Sequence, residues 1–424
     1  MIQRLKNPLI KNSIIYVVSD GISKSLSFLT LPIISFYLIP EQLGIASNFD
    51  VLQSIVMLIA GQAVVNAIPY FYYERSKSDV ALLISNLIFL IIVINIILCS
   101  AIFLATSIID KYLHIGLWLQ LLTLISVIAG LVTNINLTLY RLEERPYKFL
   151  LFQTIQTVVH IILLLALVVF SEMGAIGKIL SSVLTLIIVA LIHLYELNRR
   201  GYIVMRINRQ EISHLLKFGI PLLPHSLSFW IRGGMDKILL TTYCGLSYNG
   251  LYSMGLTIAS VFNIFRTAFD NAYTPYISKN ISLIKENNKS NEEKKIVNQT
   301  YCIGIAFLLL GLLMIGVSWV IIEFILSDDY KDSFFFLPSI IISSVIYSFY
   351  SLVIQFCYIR KKTNGIGAIT FTGSCIQCLL AFLLIKYFGP EGLNISIIIG
   401  AIIIMIAIWW YSNKVYPLPW FKFR

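Results

Sequence analysis

Charged residues are scarce in this sequence. Asp, Glu, Lys and Arg make up 12% of its 424 residues, while hydrophobic residues make up 58%. Soluble domains carry about 25% charged residues, so the composition excludes a soluble protein and indicates a polytopic membrane protein. The apolar stretch after the basic N-terminus lacks a small-residue cleavage site, and a signal peptide is therefore not predicted.

Motifs of catalysis and metal binding are missing as well. The sequence has no GxxxxGKS/T, HExxH or GxSxG motif, which excludes the ATPase, metalloprotease and hydrolase families that these motifs mark. Cys375 and Cys378 have a CxxC spacing but lie in an apolar run without a histidine or a second pair. We interpret the six cysteines as small packing residues. The chain is predicted not to be an enzyme and to have no metal site and no cofactor.

Apolar runs of about 20 residues predict twelve transmembrane helices. Most Lys and Arg residues fall in segments that are cytoplasmic if both termini are cytoplasmic, in agreement with the positive-inside rule. The net charge of +11 follows from this bias, and no nucleic-acid partner is predicted. The predicted spans are 13–38, 44–69, 80–109, 115–140, 149–170, 174–195, 212–232, 248–271, 300–326, 335–358, 366–387 and 393–412.

The two halves of the chain resemble each other. Ser25–Phe28 matches Ser226–Phe229, and Gly174–Gly177 matches Gly389–Gly392 in the pattern Gly-x-x-Gly. Six spans in each half give the two repeats the same orientation, related by an axis along the membrane normal. The sequence therefore predicts two parallel-related six-helix bundles around a central cavity. The predicted domains are an N-terminal lobe (1–197), a cytoplasmic linker (198–211) and a C-terminal lobe (212–424).

The same features resemble the MATE-like exporters of the MOP superfamily. The resemblance rests on the two bundles, on Leu-Gly-x-x-Ser at Leu43–Ser47, on the Pro-Tyr pairs at 69–70 and 275–276, and on Gly-x-x-Gly at the start of the sixth span. Within the superfamily the chain most resembles the polysaccharide transporter branch. The resemblance implies a V-shaped fold and alternating access. It also implies a flippase that moves undecaprenyl-diphosphate-linked O-antigen or capsule repeat units from the cytoplasmic to the outer leaflet.

The resemblance also implies a location and partners. It places the chain in a bacterial cytoplasmic membrane, with membrane lipids and a lipid-linked oligosaccharide as partners. A polysaccharide polymerase and a chain-length regulator are further candidate partners, and coupling to Na⁺ or H⁺ is left open. The first alternative is a multidrug or cation antiporter of the same superfamily. The second is a membrane-embedded polysaccharide polymerase, which the short predicted outside loops disfavour.

Charged residues inside or at the ends of the predicted spans are the candidate functional residues. We predict that the cations bind the substrate diphosphate, since Arg and Lys both bind phosphate. Three of the acidic residues stand four positions from one of these cations, where a helix allows pairing. Structural pairing without substrate contact is therefore the open alternative. Asp50 is a candidate for ion coupling, or is satisfied by Lys24 or Gln53. The cations are Lys24, Arg232 and Arg266, and the acids are Asp20, Asp50, Asp236 and Asp270.

Uncharged polar and aromatic side chains in the spans suit sugar hydroxyls and sugar rings. Interhelical hydrogen bonding is the alternative for each of them. The candidates for sugar contact are Gln53, Asn66, Trp230, Asn263 and Asn271.

The segment between the halves has two local signals. Residues 203–216, IVMRINRQEISHLL, are typical of a short amphipathic helix on the membrane surface. Pro221 and Pro224 predict a kink at the start of the C-terminal lobe, because proline removes an intrahelical hydrogen bond.

Overall fold

Every long element of the protein is an α-helix, as expected for apolar runs that must satisfy their backbone hydrogen bonds internally. The computed structural model describes residues 15, 19, 21, 28, 30–282, 289–360, 362 and 364–420, and no strand occurs among them. The all-α fold class is confirmed. The helices are α1 (Leu31–Tyr37), α2 (Pro40–Met57), α3 (Ile68–Tyr72), α4 (Lys77–Leu113), α5 (Leu117–Leu142), α6 (Pro146–Leu164), α7 (Gly174–Arg199), α8 (Arg209–Gly219), α9 (Leu223–Cys244), α10 (Leu246–Ser282), α11 (Lys289–Phe324), α12 (Leu337–Ile359), α13 (Asn364–Phe388) and α14 (Pro390–Val415).

Nine helical stretches in the described ranges are long and apolar enough to cross a membrane. They are α2 through α3, α4, α5, α6 with the π-helical turn that follows it, α7, α11, α12, α13 and α14. The predicted first span lies mostly outside the described residues. The predicted spans 212–232 and 248–271 correspond in part to α9 and α10. These helices have 22 and 37 residues, but they are too polar to be identified as membrane spans from composition. The count of twelve stays a prediction.

The second predicted span is interrupted at Gly61. A π-helical turn over Leu58–Gln62 follows α2, and Gly61 has φ 149° inside it. A side chain is disfavoured at this φ, and a Cβ would also lie 3.0 Å from Cγ1 of Ile91. The interruption separates α2 from α3.

The chain forms two compact units, residues 1–230 and 231–424, and the division falls inside α9. In the first unit α5 packs against α2, α4 and α7, and in the second α12 packs against α10, α11 and α14. These two helices lie at the centres of their units. In their most apolar segments 61% and 67% of the residues are buried, against 22% for α6 and 28% for α11. The outer helices therefore present most of their apolar surface to lipid.

The segment after α7 packs on the first unit. Asn86 on α4 donates to the carbonyl of Arg206 at 3.1 Å, and its side-chain oxygen accepts from the amide of Asn208 at 2.8 Å. Arg75 and Glu211 form an ion pair of 2.6 Å. These contacts explain why the first unit extends past residue 197. The lobe boundaries predicted from the sequence stay predictions.

The amphipathic helix expected over 203–216 is shorter than predicted. Residues 203–208 are not helical, and α8 begins at Arg209, where the side chain of Asn208 caps it by accepting from the amide of Gln210. The hydrogen bonds of Arg206 and Asn208 to Asn86 hold the preceding segment extended. A 3₁₀ turn over Ile220–Leu222, which contains Pro221, separates α8 from α9.

Candidate functional site

Two arginines of the second unit lie near one pair of tyrosines. The guanidinium group of Arg232 on α9 stands over the ring of Tyr347 on α12, at 5.1 Å from its centroid. Arg266 on α10 is close enough to Arg232, Tyr347 and Tyr350 to interact with them electrostatically. We call Arg232, Arg266, Tyr347 and Tyr350 the arginine site. The structure thus brings together two of the three cations that the sequence singled out for diphosphate binding.

The two arginines of the arginine site differ in their surroundings. Tyr347 supports Arg232 through a cation–π contact, and the Tyr347 hydroxyl in turn donates to Oε1 of Gln377 at 3.4 Å. The Nε of Arg266 is buried and has no hydrogen-bond partner among the described residues. Two neighbouring guanidinium groups repel each other, and an anion between them would relieve that repulsion.

The acidic residues four positions away from these arginines are hydrogen-bonded to other helices. Asp236 is 2% exposed and accepts a hydrogen bond of 3.3 Å from the hydroxyl of Tyr252. Asp270 accepts from the hydroxyl of Ser351 on α12 at 2.9 Å. Each carboxylate still lies within electrostatic reach of its arginine. Charge pairing and substrate binding by these four residues both stay predictions.

Asp50 lies in the first unit near charged groups that the sequence analysis missed. Its side chain on α2 is exposed, and His160 on α6 is close enough to interact with it electrostatically. Lys178 on α7 is also within electrostatic reach of this histidine, whose ring faces the backbone carbonyl of Ser181. A lone histidine inside an apolar run was the signal available for His160. Asp20 and Lys24 lie outside the described residues.

The candidates for sugar contact have different surroundings. The amide of Gln53 donates to Ser126 on α5 at 2.8 Å, and the indole of Trp230 donates to Ser54 at 3.1 Å. These two bonds fit the interhelical alternative. Asn66 is exposed and accepts a weak bond of 3.5 Å from Gln62.

The remaining two candidates are on α10. Asn263 is half-buried and Asn271 is exposed. Asn263 precedes Arg266 by three positions, so the two share one helix face. Asn263 is therefore the sugar-contact candidate placed beside the arginine site.

A buried ionic network, which the sequence analysis also missed, lies at the end of α7. Arg200 pairs with Glu143 and donates to Oδ1 of Asn136 at 2.8 Å. The hydroxyl of Tyr202 donates to Glu143 at 2.7 Å, and Asn136 contacts Nδ1 of His193 at 2.7 Å. We call these five residues the Arg200 network. Burial, followed by the hydrogen bond to Glu143, raises the pKa of Tyr202 well above its usual value, so its hydroxyl remains a donor.

No group of three or more His, Cys, Asp or Glu side chains that could hold a metal occurs in the part of the chain that the structure describes. All six cysteines are free thiols. The predicted absence of a metal and a cofactor stays a prediction.

Comparisons of the sequence identify its relatives. The model of the polysaccharide biosynthesis protein family matches residues 9–281, well over half of the chain. Protein 1 of the Lsg locus of Haemophilus influenzae is 22% identical over 422 residues, which cover 96% of this chain and 98% of the relative. An uncharacterised membrane protein of the same organism is 22% identical over 377 residues, covering 85% of this chain and 89% of the relative.

Solved structures share the fold. An inward-facing multidrug resistance MATE transporter of the MOP superfamily superposes with a TM-score of 0.73 at 15% identity, over 92% of this chain and 94% of the other. The lipid II flippase MurJ in an inward closed conformation has a TM-score of 0.71 at 16% identity, over 94% and 87%. The resemblance in fold to transporters of the MOP superfamily that the sequence motifs indicated is confirmed.

Proposed function

Since the chain belongs to the polysaccharide biosynthesis protein family, we propose that it is a flippase for undecaprenyl-diphosphate-linked oligosaccharide repeat units of O-antigen or capsule. It moves them from the cytoplasmic to the outer leaflet by alternating access. The fold that the chain shares with a lipid II flippase supports this proposal, because the cargo of that protein is a lipid. The fold shared with a MATE transporter is equally compatible with a drug exporter, so the choice between cargoes depends on the site.

The arginine site is the observation that carries the cargo proposal. A diphosphate headgroup has to cross the hydrocarbon region, and cations buried there stabilise it. Arg232 and Arg266 supply two guanidinium groups close to each other, and guanidinium binds phosphate through paired hydrogen bonds. The two guanidinium groups favour an anionic cargo over a cationic drug, and Asp236 and Asp270 lessen that preference. Asn263 on the Arg266 face of α10 is the group proposed for the adjoining sugar.

The decisive experiment follows the lipid-linked oligosaccharide in cells that lack this gene. The oligosaccharide is labelled, and its access to a membrane-impermeant reagent is measured from outside. We expect single repeat units that are shielded from the reagent, with access restored by the wild-type gene and not by Arg266→Gln. If the oligosaccharide reached the reagent equally well in the deleted strain, the cargo proposal would be wrong and the antiporter alternative would be favoured.

Ion coupling is proposed at Asp50. A carboxylate in a membrane span beside a histidine is typical of an ion-coupling site, and Lys178 lies within electrostatic reach of this histidine. An Asp50→Asn variant is expected to bind the lipid cargo but to lose the dependence of transport on the proton gradient. The same cluster would serve the antiporter alternative, and it therefore does not decide the cargo.

The setting proposed for this activity is the bacterial cytoplasmic membrane, with both termini cytoplasmic. A polysaccharide polymerase and a chain-length regulator would act on the product at the outer leaflet. Labelling of single introduced cysteines from either side of the membrane tests the orientation of the termini.

A further inference from the structure

Helix α8 has two different long faces. Along one side of the helix, Ile212, Leu216 and Ile220 recur every four residues, and Ile220 belongs to the 3₁₀ turn that follows the helix. His214 and Phe218 lie on another side. Lys217 lies between these two faces. An 11-residue helix with one apolar and one polar face is suited to the boundary between lipid and water.

A cavity adjoins each of these faces. The first measures about 470 Å³ and is lined by Phe71, Glu74, Arg75, His214, Lys217 and Phe218. The second measures about 530 Å³ and is lined by Arg209, Ile212, Ser213, Leu216, Ile220, Pro221 and again Lys217. Both volumes lie in the range of small-molecule sites. Lys217 is the one residue that lines both.

Helix α8 is held firmly against the end of the second span. Glu211 pairs with Arg75 at 2.6 Å, and the ring of Phe218 packs against Tyr70, with centroids 5.0 Å apart. At the other end, Gly219 approaches the turn before α3 so closely that a Cβ would lie 2.6 Å from Cγ2 of Val64. These contacts attach the helix that lines both cavities to the rest of the first unit.

The charges in the two cavities differ. Three basic side chains and one acidic side chain line the first cavity, and Arg75 is already paired with Glu211. Lys217 is therefore the cation that is left for an anion there, and Glu74 opposes it. The second cavity is lined mainly by aliphatic side chains, with Arg209 and Lys217 as its charged residues. An anionic headgroup fits beside Lys217, which belongs to both linings, and a hydrocarbon chain fits along the aliphatic side chains of the second cavity.

We infer that α8 and its two cavities form a docking site for a lipid with a diphosphate headgroup, with Lys217 at the junction of headgroup and chain. The inference rests on the proposed function, because it makes α8 the place where the lipid-linked cargo is first bound before it reaches the arginine site. The site lies at the predicted cytoplasmic end of the first unit. Its occupant is the lipid itself, because free diphosphate leaves the aliphatic lining uncovered and an uncharged lipid leaves Arg209 and Lys217 without an anion.

The test uses the purified full-length protein and a photoreactive undecaprenyl diphosphate without sugars. Cross-linked peptides are mapped by mass spectrometry, and undecaprenol and inorganic diphosphate are added as competitors. We expect labelling within residues 209–221 that unlabelled undecaprenyl diphosphate prevents and that neither competitor prevents at the same concentration. Equal competition by undecaprenol would reduce the site to a general lipid groove. Equal competition by inorganic diphosphate would remove the role of the apolar cavity.

Substitutions of opposite sign sharpen the test. Lys217→Gln is expected to lower labelling of α8 about tenfold, the size of a lost charged hydrogen bond, and Glu74→Gln is expected to raise it. Lys148→Gln is the matched control, since Lys148 is a similarly exposed lysine of the same unit that pairs with Glu196 instead. Wild-type labelling in Lys217→Gln, with normal thermal unfolding, would overturn the inference.

The outcomes also separate this inference from the proposed function. Labelling of α8 together with normal export by Arg266→Gln would leave the docking site standing and remove the arginine site from the transport path. Export of the lipid cargo by a wild-type protein whose α8 is not labelled would remove the docking site alone.

Discussion

The Arg200 network and the arginine site both place arginines beside tyrosines, and they differ in their carboxylates. In the network, Glu143 pairs directly with Arg200 and also accepts from Tyr202. In the arginine site, Asp270 accepts its hydrogen bond from Ser351 instead, and the Nε of Arg266 is without a partner among the described residues. A buried charge that is paired within the protein stabilises the fold, as in the Arg200 network. A charged group that has a hydrogen-bond donor without a partner, as in the arginine site, can bind a ligand.

Breaking the Arg200 network should have the largest effect on stability. Glu143→Gln leaves the guanidinium of Arg200, whose side chain is 12% exposed, without its counter-charge. We expect a loss of about 3 kcal/mol in the free energy of unfolding, in the range for a broken buried ion pair. Denaturant unfolding of the purified protein measures it.

The neighbouring Glu144 provides the matched control, because its side chain is exposed. Glu144→Gln should unfold as the wild type does. Export per folded molecule should be normal in both variants. A Glu143→Gln protein of normal stability and low export would reverse the comparison and make the network functional.

Removing a cation of the arginine site should have the opposite pattern. Arg266→Gln and Arg232→Gln are each expected to lower export at least tenfold, since each removes a charged hydrogen bond to the diphosphate. The unfolding midpoint should hardly change. Arg266→Lys should retain part of the export, because lysine keeps the charge and loses the paired hydrogen bonds.

Lys414→Gln is a control for charge alone, since Lys414 is an exposed lysine of the same unit. It should export normally. If both arginine variants lost stability to the same degree as export, the arginine site would have the same structural use as the network.

The aromatic support of Arg232 should have a smaller effect. Tyr347→Leu removes the ring under the guanidinium, and a cation–π contact is worth about 1 kcal/mol, which corresponds to about a fivefold loss of export. Tyr347→Phe keeps the ring and loses only the hydroxyl that donates to Gln377. Export by the Phe variant should stay close to normal. Equal losses in the two variants would assign the effect to the hydroxyl.

Local sequence patterns predicted the helices of this protein better than they predicted the contacts between residues far apart in the sequence. Apolar runs are a local signal, and they predicted the positions of the nine spans that composition supports. The break at Pro221 was predicted by the proline itself. The start of α8 was placed too early, because Asn86, more than a hundred residues away, holds Arg206 and Asn208. A hydrogen bond across that distance leaves no trace in a local pattern.

The candidate site was predictable in its residue types and not in its pairs. Arg232 and Arg266 were identified because charges in spans are rare. That both lie within electrostatic reach of Tyr347 depends on how α9, α10 and α12 pack, and so does the bond from Ser351 to Asp270. Glu143 and Arg200 are 57 residues apart, and both fall in predicted cytoplasmic segments beyond the ends of spans, where charged residues are common. Neither one stood out in the sequence.

The smallest expected effects separate two of the polar side chains proposed for sugar contact. Gln53 already donates to Ser126 on α5, so Gln53→Leu should cost about 0.6 kcal/mol of stability, the average for an interhelical hydrogen bond in a membrane protein. Its export per folded molecule should be normal. Asn263→Leu, on the Arg266 face of α10, should leave stability unchanged and lower export a few-fold, about the effect of one neutral hydrogen bond. Unfolding and export measured on the same two preparations decide the matter: low export in Gln53→Leu at normal stability would extend the substrate path into the first unit, and normal export in Asn263→Leu would confine substrate contact to the charged groups.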